Sequence, residues 1–150
     1  AELAGGMSGH IFFKERWYGF DDGLYAAARL LEILAGRFEA PSEVLDALPD
    51  SVSTPEIKVA LEDGEDPHAL VERFTAAAQA EDSAFAGARL TTIDGLRADW
   101  NDGWGLLRAS NTTPVLVLRF EADDEPALAR IRTLFREQLQ PLLPGRTLPF

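Results

Sequence analysis

Between residues 88 and 120 four short β-patterned runs follow one another: 88–93, 96–100, 104–108 and 115–120. Asp94-Gly95 separates the first two and is a strong two-residue hairpin signal. A short polar stretch separates the last two. Connections of this length join antiparallel neighbours, because a parallel pair needs a crossover of a dozen residues or more. This crowding of strands constrains the fold more than any other feature.

The flanking patterns complete the same unit. Residues 56–61 alternate as a short strand with Ile57, Val59 and Leu61 on one face. Asp66-Pro67 opens a helix that continues through Leu70, Val71, Phe74 and Ala78, with Pro67 in its first turn. Residues 124–139 read as an amphipathic helix with Leu128, Ile131, Leu134 and Phe135 inward, an acidic start and Pro141 beyond its end. Strand, helix, several antiparallel strands and helix predict an α+β fold, an antiparallel sheet with helices packed on one face. Residues 50–144 are expected to fold autonomously.

The first third has a different pattern. Residues 11–17 are rich in aromatic residues and read as a strand after a Gly-rich turn. Asp21 or Asp22 offers a helix cap, Leu24, Ala27, Ala28, Leu31 and Leu34 recur at helical spacing, and Gly36 supplies a stop. One strand and one helix make no domain alone. Pro41, Ser42 and Pro49 around a short helical turn mark residues 37–50 as a connection.

Composition bounds the function. The chain has 150 residues, 46% hydrophobic and 26% charged, enough for one ordinary core plus an incomplete piece of another. It does not have the composition of a disordered chain. A formal charge of -11 repels nucleic acid and anionic membranes, so neither is an expected partner and any anion site must be local. The absence of cysteine excludes disulfides and thiolate metal centres. The most apolar stretch, 24–34, is broken by Arg29 and Glu32 and is too short for a membrane span. Nothing near Ala1 reads as a signal peptide, so a cytoplasmic protein is expected, and the start without Met suggests a trimmed chain.

The stretch RASNTTP, residues 108–114, opens the last strand run. Arg108 carries a planar charged fork suited to two phosphate oxygens, Ser110, Thr112 and Thr113 offer hydroxyls, and a turn can aim backbone N–H groups inward. Pro114 lacks an N–H and closes the loop at the first position of a strand, where that loss costs least. An ordinary polar hairpin loop with its arginine in a surface ion pair has the same composition.

Other polar residues have simpler readings. Asp21-Asp22, Glu62-Asp63 and Asp123-Asp124-Glu125 lie at helix starts or turns, where capping explains them. Lys14, Glu15 and Arg16 are expected to alternate along one strand as a solvated face. Trp17, Trp100 and Trp104 are expected as packing anchors, and His68 as an exposed residue.

GMSGH followed by IFFKERWYGFDDGLYAAARLLEIL, then TTIDG and GWGLLRASNTTPVLVLRFEA, resembles the C-terminal part of the α-D-phosphohexomutase family, in its bacterial phosphomannomutase/phosphoglucomutase branch. The resemblance implies part of a four-domain enzyme interconverting hexose 1-phosphates and 6-phosphates through a bisphosphorylated sugar. Residues 1–36 would be the end of the sugar-binding third domain, a strand-helix remnant of an α/β domain. Residues 37–50 would be a hinge, and 51–150 the C-terminal phosphate-binding domain.

The resemblance also implies site roles. Arg108, Ser110, Asn111 and Thr112 match the ligands of the phosphate that is not transferred, with Thr113 supporting the loop. Because the sugar binds in two orientations, one clamp must accept a phosphate on either end. Ser8 and His10 match sugar-hydroxyl ligands of a loop normally written GEMSGH, and Gly6 stands where that loop has Glu. A lost carboxylate there removes about 1.5 to 3 kcal/mol of charge-assisted hydrogen bonding. Met7 and NTTP favour mannose or glucose over glucosamine. The family's TASHNP-like serine loop and DGDGDR-like magnesium loop are absent from the sequence. The chain is therefore expected to hold no catalytic or metal residue, with magnesium, a hexose 1,6-bisphosphate activator and the remaining domains as partners in the whole enzyme. A stand-alone, non-catalytic phosphosugar-binding module is the alternative.

Overall fold

The computed structural model describes residues 1–6 and 9–150. The chain divides into two compact units, Ala1–Pro49 and Asp50–Phe150.

In the first unit, β1 (Leu3–Gly5) and β2 (Ile11–Phe13) pair antiparallel, Leu3 opposite Phe13 and Gly5 opposite Ile11. The sequence gives little notice of β1, which is three residues long and ends in glycine. The strand expected over 11–17 is shorter, and Lys14, Glu15 and Arg16 do not alternate along it. Arg16 adopts φ +58, a left-handed conformation that no strand continues through. The charged side chains of this turn are tied to α1 (Gly23–Ala35) instead: Arg16 forks onto both Glu32 oxygens at 2.9 and 3.0 Å, and Arg29 reaches Glu15 at 2.6 Å. Asp22, with extended backbone, caps α1 by accepting from the Tyr25 N–H. Trp17 anchors the same corner, stacked on Tyr25 with ring centroids 4.2 Å apart. A second, short helix α2 (Pro41–Asp46) occupies the expected connection, with Glu43 accepting from the Ala40 N–H.

The second unit is an α+β sheet with its helices on one face. After β3 (Val52–Ser53) and β4 (Ile57–Ala60) come α3 (Pro67–Ala78), β5 (Arg89–Thr91), β6 (Leu96–Trp100), β7 (Gly103–Ala109), β8 (Val115–Ala122), α4 (Glu125–Leu139) and a 3-10 turn over Gln140–Leu142. The sheet runs β3-β8-β7-β6-β5, all antiparallel, with β4 also paired to β8. Thr54 bridges β3 and β4 along that edge: its N–H donates to the Phe120 carbonyl and its hydroxyl accepts the Phe120 N–H.

Register puts one set of side chains on the helix face. Leu96 stands opposite Leu107, Leu107 opposite Leu118, and Gly105 opposite Phe120, all buried. Phe135 of α4 lies at the centre, with its ring 5.2 to 5.4 Å from Phe74, Phe85 and Phe120. Gly105 admits this approach: a Cβ there would stand 2.5 Å from the Phe135 ring. The alternate positions Arg97, Trp104 and Arg108 take the other face, where the Arg97 guanidinium lies 4.0 Å over the Trp104 ring. Trp100 packs beside Phe85 at 5.8 Å.

The unit extends past residue 144, where the sequence pattern stops. Leu148 and Phe150 are buried, and Phe150 packs on Phe120 with centroids 5.3 Å apart. Arg146 anchors this tail by donating to the Ala60 carbonyl at 3.1 Å and to Glu65 at 2.6 Å. No described helix is long and apolar enough to cross a membrane.

Candidate functional site

The polar loop, residues 110–114, connects β7 to β8. Arg108 is the penultimate residue of β7, opposite Val117, and therefore sits on the sheet face away from the helices. Ser110 opens the turn with its N–H on the Val115 carbonyl at 3.0 Å, and Val115 returns an N–H to the Thr113 carbonyl at 2.8 Å. Pro114 leads into β8, and its carbonyl accepts the Leu61 N–H at 3.0 Å.

Inside the turn the donors converge. The backbone N–H groups of Thr112 and Thr113 both point at Ser110 Oγ, at 3.4 and 3.3 Å, and the Thr113 hydroxyl lies 3.0 Å from it. Two N–H groups and the Thr112 and Thr113 hydroxyls thus gather around Ser110 Oγ, mostly in long contacts. Asn111, Thr112 and Thr113 are exposed.

Arg108 is placed by the β5–β6 turn. Gly95, at φ +89, packs so closely against β7 that a Cβ would stand 2.2 Å from the Leu107 carbonyl oxygen and 2.8 Å from Arg108 Cα. This brings Asp94 Oδ2 to 3.4 Å from Arg108 Nη1, with the Asp94 side chain 62% exposed. Arg108 Nε is buried without a hydrogen-bond partner among the described residues. A long, solvated ion pair holds the guanidinium weakly and leaves it free to exchange Asp94 for a stronger anion. The sequence marks Asp94-Gly95 as a turn; only the sheet register reveals that this turn touches Arg108.

The second candidate loop joins β1 to β2. Gly6 donates its N–H to the His10 carbonyl at 2.7 Å, and Gly9, at φ +85, donates to the Gly6 carbonyl at 3.0 Å. Ser8 lies outside the described residues. His10 Nδ1 hydrogen-bonds Asp21 Oδ2, a pairing that sequence reasoning missed. Capping does account for Asp22 and Asp124 but not for Asp21, whose carboxylate turns to the histidine. Glu62 likewise faces Arg146, at 3.3 Å. His68 is exposed, as its setting predicts.

Charge is strongly organised beside this loop. Arg29 holds the Glu15 carboxyl below its ordinary range, and Arg16 does the same to Glu32. These four groups form a tie between turn and helix. Among the described residues no group of three or more His, Asp or Glu could hold a metal ion.

Comparison with known proteins places both units in one class. The family model for the phosphoglucomutase/phosphomannomutase C-terminal domain matches residues 56–138, and that for the alpha/beta/alpha domain III matches residues 1–52. The chain belongs to the phosphoglucomutase/phosphomannomutase family. It is 56% identical over 93% of its length to a phosphoglucomutase of Neisseria gonorrhoeae, and 53% identical over 99% to a phosphomannomutase/phosphoglucomutase of Pseudomonas putida. A crystal structure of a phosphoglucomutase/phosphomannomutase family protein from Burkholderia thailandensis covers the whole chain with 54% identity and a TM-score of 0.83. The chain spans only 29% and 31% of the two relatives and 30% of the crystallised chain.

Proposed function

We propose that the chain is the substrate-binding C-terminal portion of a phosphohexomutase that interconverts 1-phospho and 6-phospho mannose or glucose through a bisphosphorylated sugar. The weakly held Arg108 near the end of β7, followed directly by the Ser110, Thr112 and Thr113 donors of the β7–β8 loop, supports this reading. Residues 1–36 then close a sugar-binding third domain, 37–50 form a hinge, and 51–150 form the phosphate-binding domain of a cytoplasmic enzyme.

The clamp works by exchange. A phosphate entering the loop displaces Asp94 from the Arg108 fork, and the Thr112 and Thr113 N–H groups swing from Ser110 Oγ to the anion. The two N–H contacts, neutral while they face Ser110 Oγ, become charge-assisted hydrogen bonds, roughly twice as strong as their neutral counterparts. The donors make no demand on sugar stereochemistry, so either end of a bisphosphorylated hexose fits. His10 and Ser8 address ring hydroxyls. Gly6 offers no acceptor, so recognition of the ring rests on fewer groups than the GEMSGH pattern supplies. The described residues form no group that would hold magnesium; the metal belongs to the DGDGDR-like loop and the phosphorylated serine to the TASHNP-like loop, both in other domains.

NMR titration tests the clamp. Inorganic phosphate and glucose 1-phosphate should both shift the Ser110, Asn111 and Thr112 amides, and both effects should vanish in Arg108→Ala. Unmoved loop amides at millimolar ligand would overturn the reading in favour of an ordinary surface hairpin.

A further inference from the structure

The proposed sugar role of His10 leaves its partner Asp21 without a function. Asp21 is placed independently of the histidine. Its backbone forms an isolated bridge with Phe12 of β2, the next residue caps α1, and Gly19 closes the intervening loop by donating to the Phe13 carbonyl at 2.9 Å. The carboxylate is thus fixed by the β2–α1 connection and presented to Nδ1 of a ring that stands on the loop before β2. A carboxylate only accepts, so Nδ1 must carry the proton. That leaves Nε2 as the second ring nitrogen, on a side chain 59% exposed.

We propose that Asp21 is a positioning residue for sugar recognition: it locks His10 in the Nδ1–H tautomer and in one ring orientation, so that Nε2 accepts a hydrogen bond from a hexose hydroxyl. The inference rests on the reading of His10 as a sugar ligand. It matters more here than where a carboxylate occupies position 6, because an unpartnered neutral imidazole favours the Nε2–H tautomer, which cannot accept at Nε2, and turns freely, and Gly6 cannot compensate. Asp21 acts through His10 and touches no substrate.

The experiment is 15N spectroscopy of the imidazole at alkaline pH, on the four-domain enzyme that contains the unmutated chain and on its Asp21→Ala and Asp21→Asn variants, with glucose 1-phosphate or inorganic phosphate added. The unmutated chain should show the Nδ1–H pattern, and glucose 1-phosphate but not inorganic phosphate should move Nε2. Asp21→Ala should shift the ring towards the Nε2–H tautomer and weaken the sugar-dependent response about fivefold, the equivalent of one hydrogen bond. Asp21→Asn keeps an acceptor and should recover part of both. Amide shifts of Phe12 and Tyr25 report whether each variant retains the local fold. Should Nε2 ignore the sugar in the unmutated chain, the sugar-ligand reading of His10 fails and the inference falls with it. Should Nε2 respond equally in Asp21→Ala, or the unmutated ring carry its proton on Nε2, the positioning role alone is overturned.

Discussion

Two residues test the clamp and the sugar loop separately. Arg108→Lys keeps the charge but loses the planar fork, so phosphosugar binding should weaken; Arg108→Ala should weaken it further, by roughly 2 to 4 kcal/mol for a bidentate charge-assisted contact. Calorimetric titration measures both. Thermal stability should hardly change, because the ion pair that each variant loses is long and solvated. In the four-domain enzyme, Gly6→Glu restores an acceptor beside His10 and should tighten glucose 1-phosphate binding while inorganic phosphate binding stays the same. An equal response of both ligands would mean that the glycine acts through loop folding. The residues proposed for the clamp are contiguous, RASNTTP, so although an ordinary hairpin shares their composition, the loop itself was legible. Asp94 and Asp21 were not, since their partners lie 14 and 11 positions away and only register and a loop path bring them close.

At the scale of elements, Gly105 and the carboxyl-terminal tail carry the testable contacts. Gly105→Ala places a methyl 2.5 Å from Phe135 Cε2 and 3.0 Å from Phe120, between two rings that have no room to separate. Overpacking of this kind costs about 1 to 3 kcal/mol, more than the 0.4 to 1 kcal/mol that alanine recovers from the unfolded chain. A lowered unfolding midpoint in urea checks the sign. The tail should be acid-sensitive. Glu65 titrates below its ordinary range, chiefly because its carboxylate accepts the Glu62 N–H and then because Arg146 pairs with it. A depressed folded-state value means that the contribution is complete above the ordinary carboxylate range and disappears as pH falls through the folded value. Hydrogen exchange near residues 146–150 should therefore accelerate on acidification, and Glu65→Gln should already exchange faster at neutral pH with a flatter acid dependence.

For the whole molecule, the two units differ in what they bury. Every residue of the hydrophobic core lies in Asp50–Phe150, and no described residue of Ala1–Pro49 is buried. Within the first unit Leu24 is 87% exposed, and Ile11, Phe13, Ala26, Leu30 and Ile33 line an open apolar groove of about 380 Å³. Too little area is removed from water to offset the entropy of ordering that unit. Asp50–Phe150 should fold alone with a single cooperative thermal transition, while amides of residues 1–49 in the 150-residue chain exchange much faster than those of the sheet. Equal protection of both would refute this. Ending the second unit at Pro144 should destabilise it, since Leu148 and Phe150 leave the core with it.

Periodicity and turn chemistry determined the α+β class, the α1 bounds, the Asp66 cap with Pro67 behind it and the pairing of β5 through β8, because each depends on residues near one another in the chain. Spacing also located the loop that binds an anion in the proposed reading. Tertiary structure alone decided the rest. A left-handed Arg16 ended β2 where aromatic content would have continued it, and Glu15, Arg16, Arg29 and Glu32 tie the turn that follows to α1. Phe150 joined a core whose other members lie far upstream, and His10 met Asp21, through contacts whose free energy depends on closing long loops and leaves no local signature in the sequence.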